Sequence, residues 1–554
     1  MKLPESGGGP VLSWEGKRKP ELLDYENLRP AVLMETFGCS SVDGVGTGDS
    51  RSVWENGNDS AGNLLFEGDN LAVMARLLAD GYAGKVQLAY LDPPFGSGAN
   101  YVRKIRLRGE SVDVNRSSSE TGSSSDGRGA ERAGRAGFVG IADDDGLANQ
   151  LQYTDQWSES SYLQFMYERL WMVRELLAEN GSLYLHLDSN EVHAIKLICD
   201  EVFGPECFQR QIIWRIGWIS GYKSAARNWI RNHDTILFYC KDPGKMIFNK
   251  MYLPYPEGYL RRESRGSSGK KGYPGKGYPL EDTWNCSAID RMDSIQIKSF
   301  SKEKTSYPTQ KNESLLERII LASSNPGDLV MDVFAGSGTT AAVAQKTGRR
   351  WIACDANHIA VQTINRRLQA IIAGGENGGG SGDVGAKGAA FSVWKIGGED
   401  EGGRDGAEHY EGARRGSECR GGGRGGSSTS GSGELGSGRP TVSVSYQRVG
   451  TDVILEITGY ANPEISKMIK KTMRTRTAGD GSGAPPDPDW RALIDWVSVD
   501  RDYDGRTFNV YLSDIPKDNK KCVNGHYIIP NVRSGAVIAL KIIDILGHET
   551  LWVQ

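Results

Sequence analysis

The sequence predicts an α/β fold, with a doubly wound, mostly parallel sheet joined through a glycine-rich linker to a C-terminal mostly-β domain. Three observations predict it. Short apolar runs alternate with amphipathic stretches through residues 62–372. Two of those runs end in an acid followed by a turn rich in proline or glycine. The last hundred residues instead alternate apolar and polar positions between turn signals.

Taken in order, residues 70–80 (NLAVMARLLAD) carry apolar residues at helical spacing, and 86–91 (VQLAYL) form a short buried strand. Residues 161–180 form a long amphipathic helix ended by Gly181, 182–188 (SLYLHLD) a strand, and 190–203 a helix capped by Ser189 or Asn190. A strand at 235–240 (TILFYC), a helix at 313–323 and a strand at 328–333 (DLVMDV) follow. A helix from 338, a strand at 350–354 and a helix at 357–370 complete the alternation.

Composition sets the divisions. Residues 1–61 are an N-terminal extension, 373–439 a Gly/Ser/Arg-rich linker and 440–554 a β-rich domain whose role is not legible. Within the body, 104–148 reads as a flexible insertion with nothing to bury. A net charge of -4 gives no global sign of a nucleic-acid binder, so such a surface must be local. The eight cysteines form no CxxC pair, which argues against a zinc ribbon or a disulfide framework and suits a reducing cytoplasm. His186, His193 and His233 lie in separate elements without ligand spacing, so no metal site is expected. The first twenty residues have no apolar core, and no run is long enough to span a bilayer.

The stretch AYLDPPFGSGANY, residues 89–101, ends a buried strand in an acid, two prolines and an aromatic. Pro93 and Pro94 cannot donate to a ladder, so they stop the strand and hold Asp92 at its carboxyl end. Alone, such a pair reads as a strand terminator. A second segment, GDLVMDVFAGSGTTAAVAQKTGRRWIACDAN, residues 327–357, puts Asp332 at a strand end before a Phe334–Gly338 turn and a small-residue helix. Its next strand ends at Asp355. Glycines admit a ligand close to the backbone, a helix start offers free N–H groups, and an acid after the next strand accepts ribose hydroxyls. No lysine follows Gly338, which disfavours a P-loop, while Ala341 in the third glycine position leaves NAD open for this segment alone. Strand, loop, helix and acid together favour a nucleoside-containing ligand over an empty tight turn.

With DPPF and FAGSGTT in this order, residues 62–372 resemble the amino-group DNA methyltransferases that depend on S-adenosylmethionine, in their permuted β group. That group includes type III modification subunits and solitary adenine methyltransferases. LLFEGDNLAVMARL, NHDTILFYCK, YPTQKNESLLERIILASSNPGD and GRRWIACD extend the likeness. The resemblance implies a Rossmann-like methyltransferase fold and a catalytic set of Asp92, Pro93, Pro94 and Phe95. In it, the Asp92 carboxylate and the Pro93 carbonyl hold the hydrogens of an adenine amino group, and Phe95 stacks on a flipped base. It further implies that Asp332, Phe334, Gly336 and Gly338 line the methionine side of the cofactor and Asp355 its ribose. Asp69 faces the cofactor's adenine, and Thr309 and Lys311 close the site; for Lys311 a solvated helix-start lysine is the plain alternative. The sequence departs from the pattern at Asn312, where proline is usual, at Gly96-Ser97 after DPPF, and in the 104–148 insertion.

Two basic loops, 210–232 and 255–283, are the expected DNA contacts. The first carries Arg210, Arg215, Lys223, Arg227 and Arg231 with no acid among them, interleaved with Trp214, Trp218, Tyr222 and Trp229. A strand with buried tryptophans and a solvated basic loop is the competing reading. Asp188 borders the pocket or caps a helix. The implied activity is methylation of adenine N6 in double-stranded DNA, within a restriction-modification system. N4-cytosine methylation, a silent DNA-binding specificity component and an NAD-using oxidoreductase are the alternatives. The implied partners are a separate restriction subunit and a second copy of the chain, with no membrane.

Overall fold

The computed structural model describes residues 11–19, 28–38, 62–95, 100–109, 147–154, 158–215, 227–253, 277–285, 303–305, 307–373, 390–397, 439–477 and 488–554. The chain divides into two compact units, Met1–Tyr101 with Gln152–Glu411, and Val102–Leu151 with Gly412–Gln554.

The first unit is built on a sheet whose centre is parallel. Strand β1 (Ala31–Phe37) and β2 (Asn63–Glu67) precede helix α1 (Asn70–Ala79) and β3 (Val86–Leu91). After β4 (Asn100–Ile105) and β5 (Ala148–Thr154) come α2 (Glu159–Leu176), β6 (Leu177–Leu187), α3 (Val192–Phe203), β7 (Phe208–Arg215) and β8 (His233–Cys240). Short strands β9 (Tyr252–Leu253), β10 (Tyr278–Pro279) and β11 (Thr283–Trp284) lead to α4 (Glu313–Ser323), β12 (Leu329–Asp332), α5 (Thr339–Lys346), β13 (Arg350–Asp355), α6 (His358–Ala373) and β14 (Phe391–Ile396). The spatial order is β11-β7-β8-β6-β3-β12-β13-β2-β14-β1. From β6 through β14 every neighbouring pair is parallel, while β8 runs antiparallel to β6 and β7, and β1 to β14.

The central strands are buried almost throughout, and their side chains alternate between the two faces with period two. Leu64, Phe66, Ala89, Leu91 and Met331 pack on one face against α1, α2 and α3. Leu65, Leu88, Tyr90, Val330 and Trp351 pack on the other against α4, α5 and α6. Helices therefore cover both faces, as the doubly wound expectation requires. Strand β3 lies beside β12, with Leu88 opposite Val330, and the chain leaves those two strands toward opposite sides of the sheet. This is the switch point at which open α/β sheets form a crevice.

Three boundaries differ from the sequence reading. Gly181 does not end a helix: α2 stops at Leu176 and β6 runs through the glycine. A Cβ there would lie 2.7 Å from the Val86 carbonyl oxygen, so the bare Cα admits a close approach where the β3–β6 register shifts. The span 373–439 is not all linker, because β14 buries Phe391, Val393, Trp394 and Ile396 in the sheet. Its FSVWKI signal is real but is hidden between glycine runs. Likewise β1 in the N-terminal extension pairs with β14.

The second unit has two antiparallel sheets. One orders β15 (Thr441–Val449), β16 (Asp452–Ala461) and β20 (His526–Ile529). The other orders β19 (Leu512–Asp514), β17 (Ile494–Asp500), β21 (Ala539–Asp544) and β22 (Glu549–Val553). Val453, Leu455, Val497, Val499, Leu540 and Ile542 share their core. A helix, α7 (Pro463–Thr477), interrupts this β-rich unit. The ends of the expected insertion have something to bury: Ile105 and Leu147 enter the same core, and Arg108 is paired with Asp495 and donates to the Asp518 carbonyl at 3.1 Å. Among the described residues no helix is long and apolar enough to cross a membrane.

Candidate active site

The parallel register brings the carboxyl ends of β2, β3, β12 and β13 to one edge, with Asp332 opposite Ala353 and Asp355 opposite Glu67. A cavity of about 600 Å³ opens there. Asp92, Pro93, Pro94 and Phe95 line it, as do Asp69, Thr309, Lys311, Asp332, Phe334, Gly336 and Asp355. Segments separated by more than two hundred positions in sequence thus meet in one pocket.

The Asp92 corner carries unused acceptor capacity. Its Oδ2 lies 2.5 Å from Lys311 Nζ, and both side chains are mostly buried. Its Oδ1 is buried without a hydrogen-bond partner among the described residues. A buried acceptor left unmade costs about 1–3 kcal/mol, which is tolerable where a substrate donor supplies the bond. Lys311 Nζ also sits 5.4 Å from the Phe95 ring centroid, within cation–π range. The lysine therefore engages both the acid and the aromatic and is not a solvated helix-start residue. Thr309 holds a φ of 61°, unusual for a β-branched residue. The adjoining Gln310 braces this loop: its Oε1 accepts from the Thr305 N–H and hydroxyl, each at 2.8 Å, and its Nε2 donates to the Glu303 carbonyl at 2.7 Å.

The glycine-loop acids are wired otherwise. Asp332 accepts the Phe334 N–H at 3.0 Å and the Thr340 hydroxyl at 2.5 Å. Burial nevertheless pushes its carboxyl up to about 7, against those two hydrogen bonds. Asp355 accepts the Gly336 N–H at 2.8 Å and the Asn357 N–H at 2.9 Å, and burial raises its carboxyl as well. Gly336 adopts a φ of 51° on the pocket wall. Gly338 does not line the pocket. Its φ is 73° and a Cβ would meet Ile364 Cγ1 at 2.8 Å, so this glycine serves the turn and its packing on α6.

Asp69 caps α1, accepting the N–H groups of Leu71 at 3.0 Å and Ala72 at 3.2 Å. It also pairs with Arg169 Nη2 at 2.9 Å. Arg169 went unread in the sequence. Its guanidinium is buried, also donates to Asn70, and stacks on Phe165 at 3.5 Å; Phe165 in turn faces Phe334 across the pocket wall at 6.0 Å. The available signal was a charge inside the apolar stripe of α2. Asp188 accepts the N–H groups of Asn190 and Glu191 in the turn ahead of α3 and is not among the pocket residues, so it braces that turn; the N-cap is Glu191, not Ser189 or Asn190, and no side chain caps the helix.

Of the expected DNA contacts, Arg210, Arg215, Arg227 and Arg231 are exposed, and Lys223 lies outside the described residues together with Trp218 and Tyr222. Trp229 is 98 % exposed, whereas Trp214 is fully buried and belongs to the core. Arg231 is paired with Asp234. In the second loop, residues 254–276 are outside the described residues. Among the described residues no cluster of three His, Cys, Asp or Glu side chains is placed to hold a metal.

Comparison with known proteins covers the part of the chain that holds most of this pocket. The family model N6_N4_Mtase, described as DNA methylase, matches residues 86–366, just over half the chain. The type II methyltransferase M1.MboII of Moraxella bovis is 33% identical over 215 residues, covering 38% of this chain and 80% of that protein. The type II methyltransferase M.EcaI of Enterobacter cloacae is 26% identical over 361 residues, 55% of this chain and 69% of its own. The DNA adenine methyltransferase YhdJ of Escherichia coli (strain K12) is 30% identical over 214 residues, 39% of this chain and 69% of its own.

Proposed function

Because the chain belongs to the N6_N4_Mtase family of DNA methylases, we propose that it transfers a methyl group from S-adenosylmethionine to the N6 amino group of adenine in double-stranded DNA. The observation that carries this reading is the Asp92 corner: a buried carboxylate oxygen without a partner among the described residues, beside an aromatic ring, at the switch-point edge of the sheet. The name of YhdJ, a DNA adenine methyltransferase, supports adenine as the base.

The pocket residues fit S-adenosylmethionine. Three acids, Asp69, Asp332 and Asp355, suit a ligand with a positive charge and ribose hydroxyls, and Phe165 with Phe334 offers apolar surface. When bound, that cofactor supplies an electrophilic methyl group. Asp332 and Phe334 hold its methionine side, Asp355 its ribose and Asp69 its adenine side. Gly336 lets the backbone come close, and Thr309 closes the pocket. No metal or covalent nucleophile is needed, so positioning and electrostatics do the work.

An amino nitrogen conjugated to a purine is a weak nucleophile. Asp92 Oδ1 and the Pro93 carbonyl accept its two hydrogens and turn the lone pair away from the ring. The two prolines keep both acceptors at fixed backbone angles. Phe95 stacks on the base, which must leave the helix to arrive there. Lys311 now engages both groups. Entry of the base displaces the ammonium from the Phe95 face while the Asp92 charge stays compensated nearby. Arg210, Arg215, Lys223, Arg227 and Arg231 supply phosphate contacts.

The enzyme's setting is a cytoplasmic restriction-modification system, with a restriction subunit and a second copy of the chain as partners. One relative is named as the EcoP15I Mod subunit of a type III restriction-modification enzyme of Escherichia coli; it is 28% identical over 241 residues, 43% of this chain and 31% of its own. Incubating the protein with plasmid DNA and tritiated S-adenosylmethionine, then separating the nucleosides, tests the reaction. Label in N6-methyladenine is expected. Label in N4-methylcytosine replaces the base, and no label with the cofactor bound overturns the assignment to DNA.

A further inference from the structure

Behind the Asp92–Phe95 corner runs a buried polar chain, Tyr90–His186–Asp234, that the proposed mechanism leaves unused and that ends on Arg231. Tyr90 Oη lies 2.9 Å from His186 Nδ1, and His186 Nε2 lies 3.5 Å from Asp234 Oδ2. Asp234 Oδ1 in turn accepts from the Arg231 guanidinium. The imidazole is fully buried and Asp234 nearly so, whereas the Arg231 side chain is 40% exposed. The same ring packs against Phe95 at 6.2 Å and edge-on against Trp214 at 5.5 Å.

His186 thus touches residues from four segments: Tyr90 on β3, Phe95 beyond it, Trp214 on β7 and Asp234 on β8. Strands β7 and β8 are the two stems of the basic 210–232 segment. Trp214 and Asp234 are direct partners across them. Burial pushes the Asp234 carboxyl up, but His186 and Arg231 outweigh that and hold it at about 2, so it stays an anion inside the sheet. His186 Nε2 faces the Asp234 carboxylate without a hydrogen-bond partner among the described residues, so that link is electrostatic. Burying such a polar chain costs desolvation that well-packed apolar residues of the same size avoid, so it is weak evidence for stability and better evidence for register. Its path, from an exposed arginine to the back of the aromatic platform, indicates what register it keeps.

We propose that His186 is a positioning residue that sets the Phe95 platform and, through Asp234 and Arg231, couples it to phosphate contact at the basic segment. The inference rests on the methyltransferase reading. Arg231 on a DNA phosphate and Phe95 on the flipped base become two ends of one packed unit, so the platform is firm only when DNA is seated. Contact with DNA then assembles the site in the manner of induced fit.

A double-mutant cycle tests it on the full chain, with plasmid DNA and tritiated S-adenosylmethionine. His186→Leu and Arg231→Gln are each expected to lower kcat about tenfold, and the double variant about as much as either alone. Cofactor affinity by calorimetry stays at the wild-type value in Arg231→Gln, and kcat of each variant is read on its folded fraction. His186→Gln, which keeps a polar side chain facing Tyr90 and Asp234, recovers part of the loss. Independent effects that multiply in the double variant overturn the coupling. So does a His186→Leu protein whose cofactor affinity and melting temperature fall along with kcat while Arg231→Gln is unaffected. If the wild-type protein binds the cofactor and labels no DNA, the methyltransferase reading fails first, and the inference with it.

Discussion

Asp92 on one side of the crevice and Asp332 with Asp355 on the other are all carboxylates at the ends of adjacent parallel strands, yet their bonds differ. Asp332 and Asp355 each spend both oxygens on the loop that holds them, through Phe334, Thr340, Gly336 and Asn357. Asp92 spends one oxygen on Lys311 and leaves the other unpaired among the described residues. Internal bonds freeze a carboxylate into a wall; an oxygen kept free is available to an incoming donor. The difference divides the pocket into a cofactor wall already built and a target corner completed only by substrate.

The firmest way to break that division is to empty the corner. Asp92→Ala is expected to lower methyl transfer by two to three orders of magnitude, about the value of one preorganised polar contact to the reacting group, while calorimetry finds S-adenosylmethionine binding intact. Next is the wall's support. Arg169→Leu leaves the buried Asn70 amide oxygen without its donor and removes the stacking on Phe165, while the half-exposed Asp69 is screened by solvent; a loss of about 2–4 kcal/mol in denaturant stability is expected, with weakened cofactor binding. Gly338→Ala should cost less, about 1–3 kcal/mol, because a Cβ at positive φ meets Ile364 without touching the pocket. Its kcat, in the folded fraction, should stay near wild type.

The smallest effect is one of pH. Asp332 has a folded-state carboxyl raised to about 7, so it must lose a proton before it can hold a cation. Cofactor affinity should therefore tighten as pH rises from about 6 to about 8, by at most tenfold per unit, and level off above. The slope should vanish in Asp332→Asn. A flat profile in the wild-type protein would mean that the ammonium and sulfonium are held elsewhere on the wall.

The contrast between corner and wall was partly legible in the sequence. Asp92, Asp332 and Asp355 could be read because prolines and glycines constrain the backbone locally, and a strand that ends in such a turn has few conformations. The alternation that forms the doubly wound sheet is local in the same way. Arg169 was not read, since its place depends on contact with the distant Asp69 and Asn70. Strands β1 and β14 escaped because each lies alone outside the strand–helix alternation, β14 among glycine runs, and they pair with each other across more than three hundred positions. Gly338 was misplaced for the opposite reason. Its motif fits a ligand loop, but the neighbour it makes room for is Ile364, which only the folded chain reveals.

The division is tested most directly by measuring single-turnover methylation and cofactor affinity side by side in Asp92→Asn and Asp332→Asn. The account predicts that Asp92→Asn loses turnover at an unchanged Kd for S-adenosylmethionine, and that Asp332→Asn weakens Kd first. Equal losses in both quantities for both variants would contradict it.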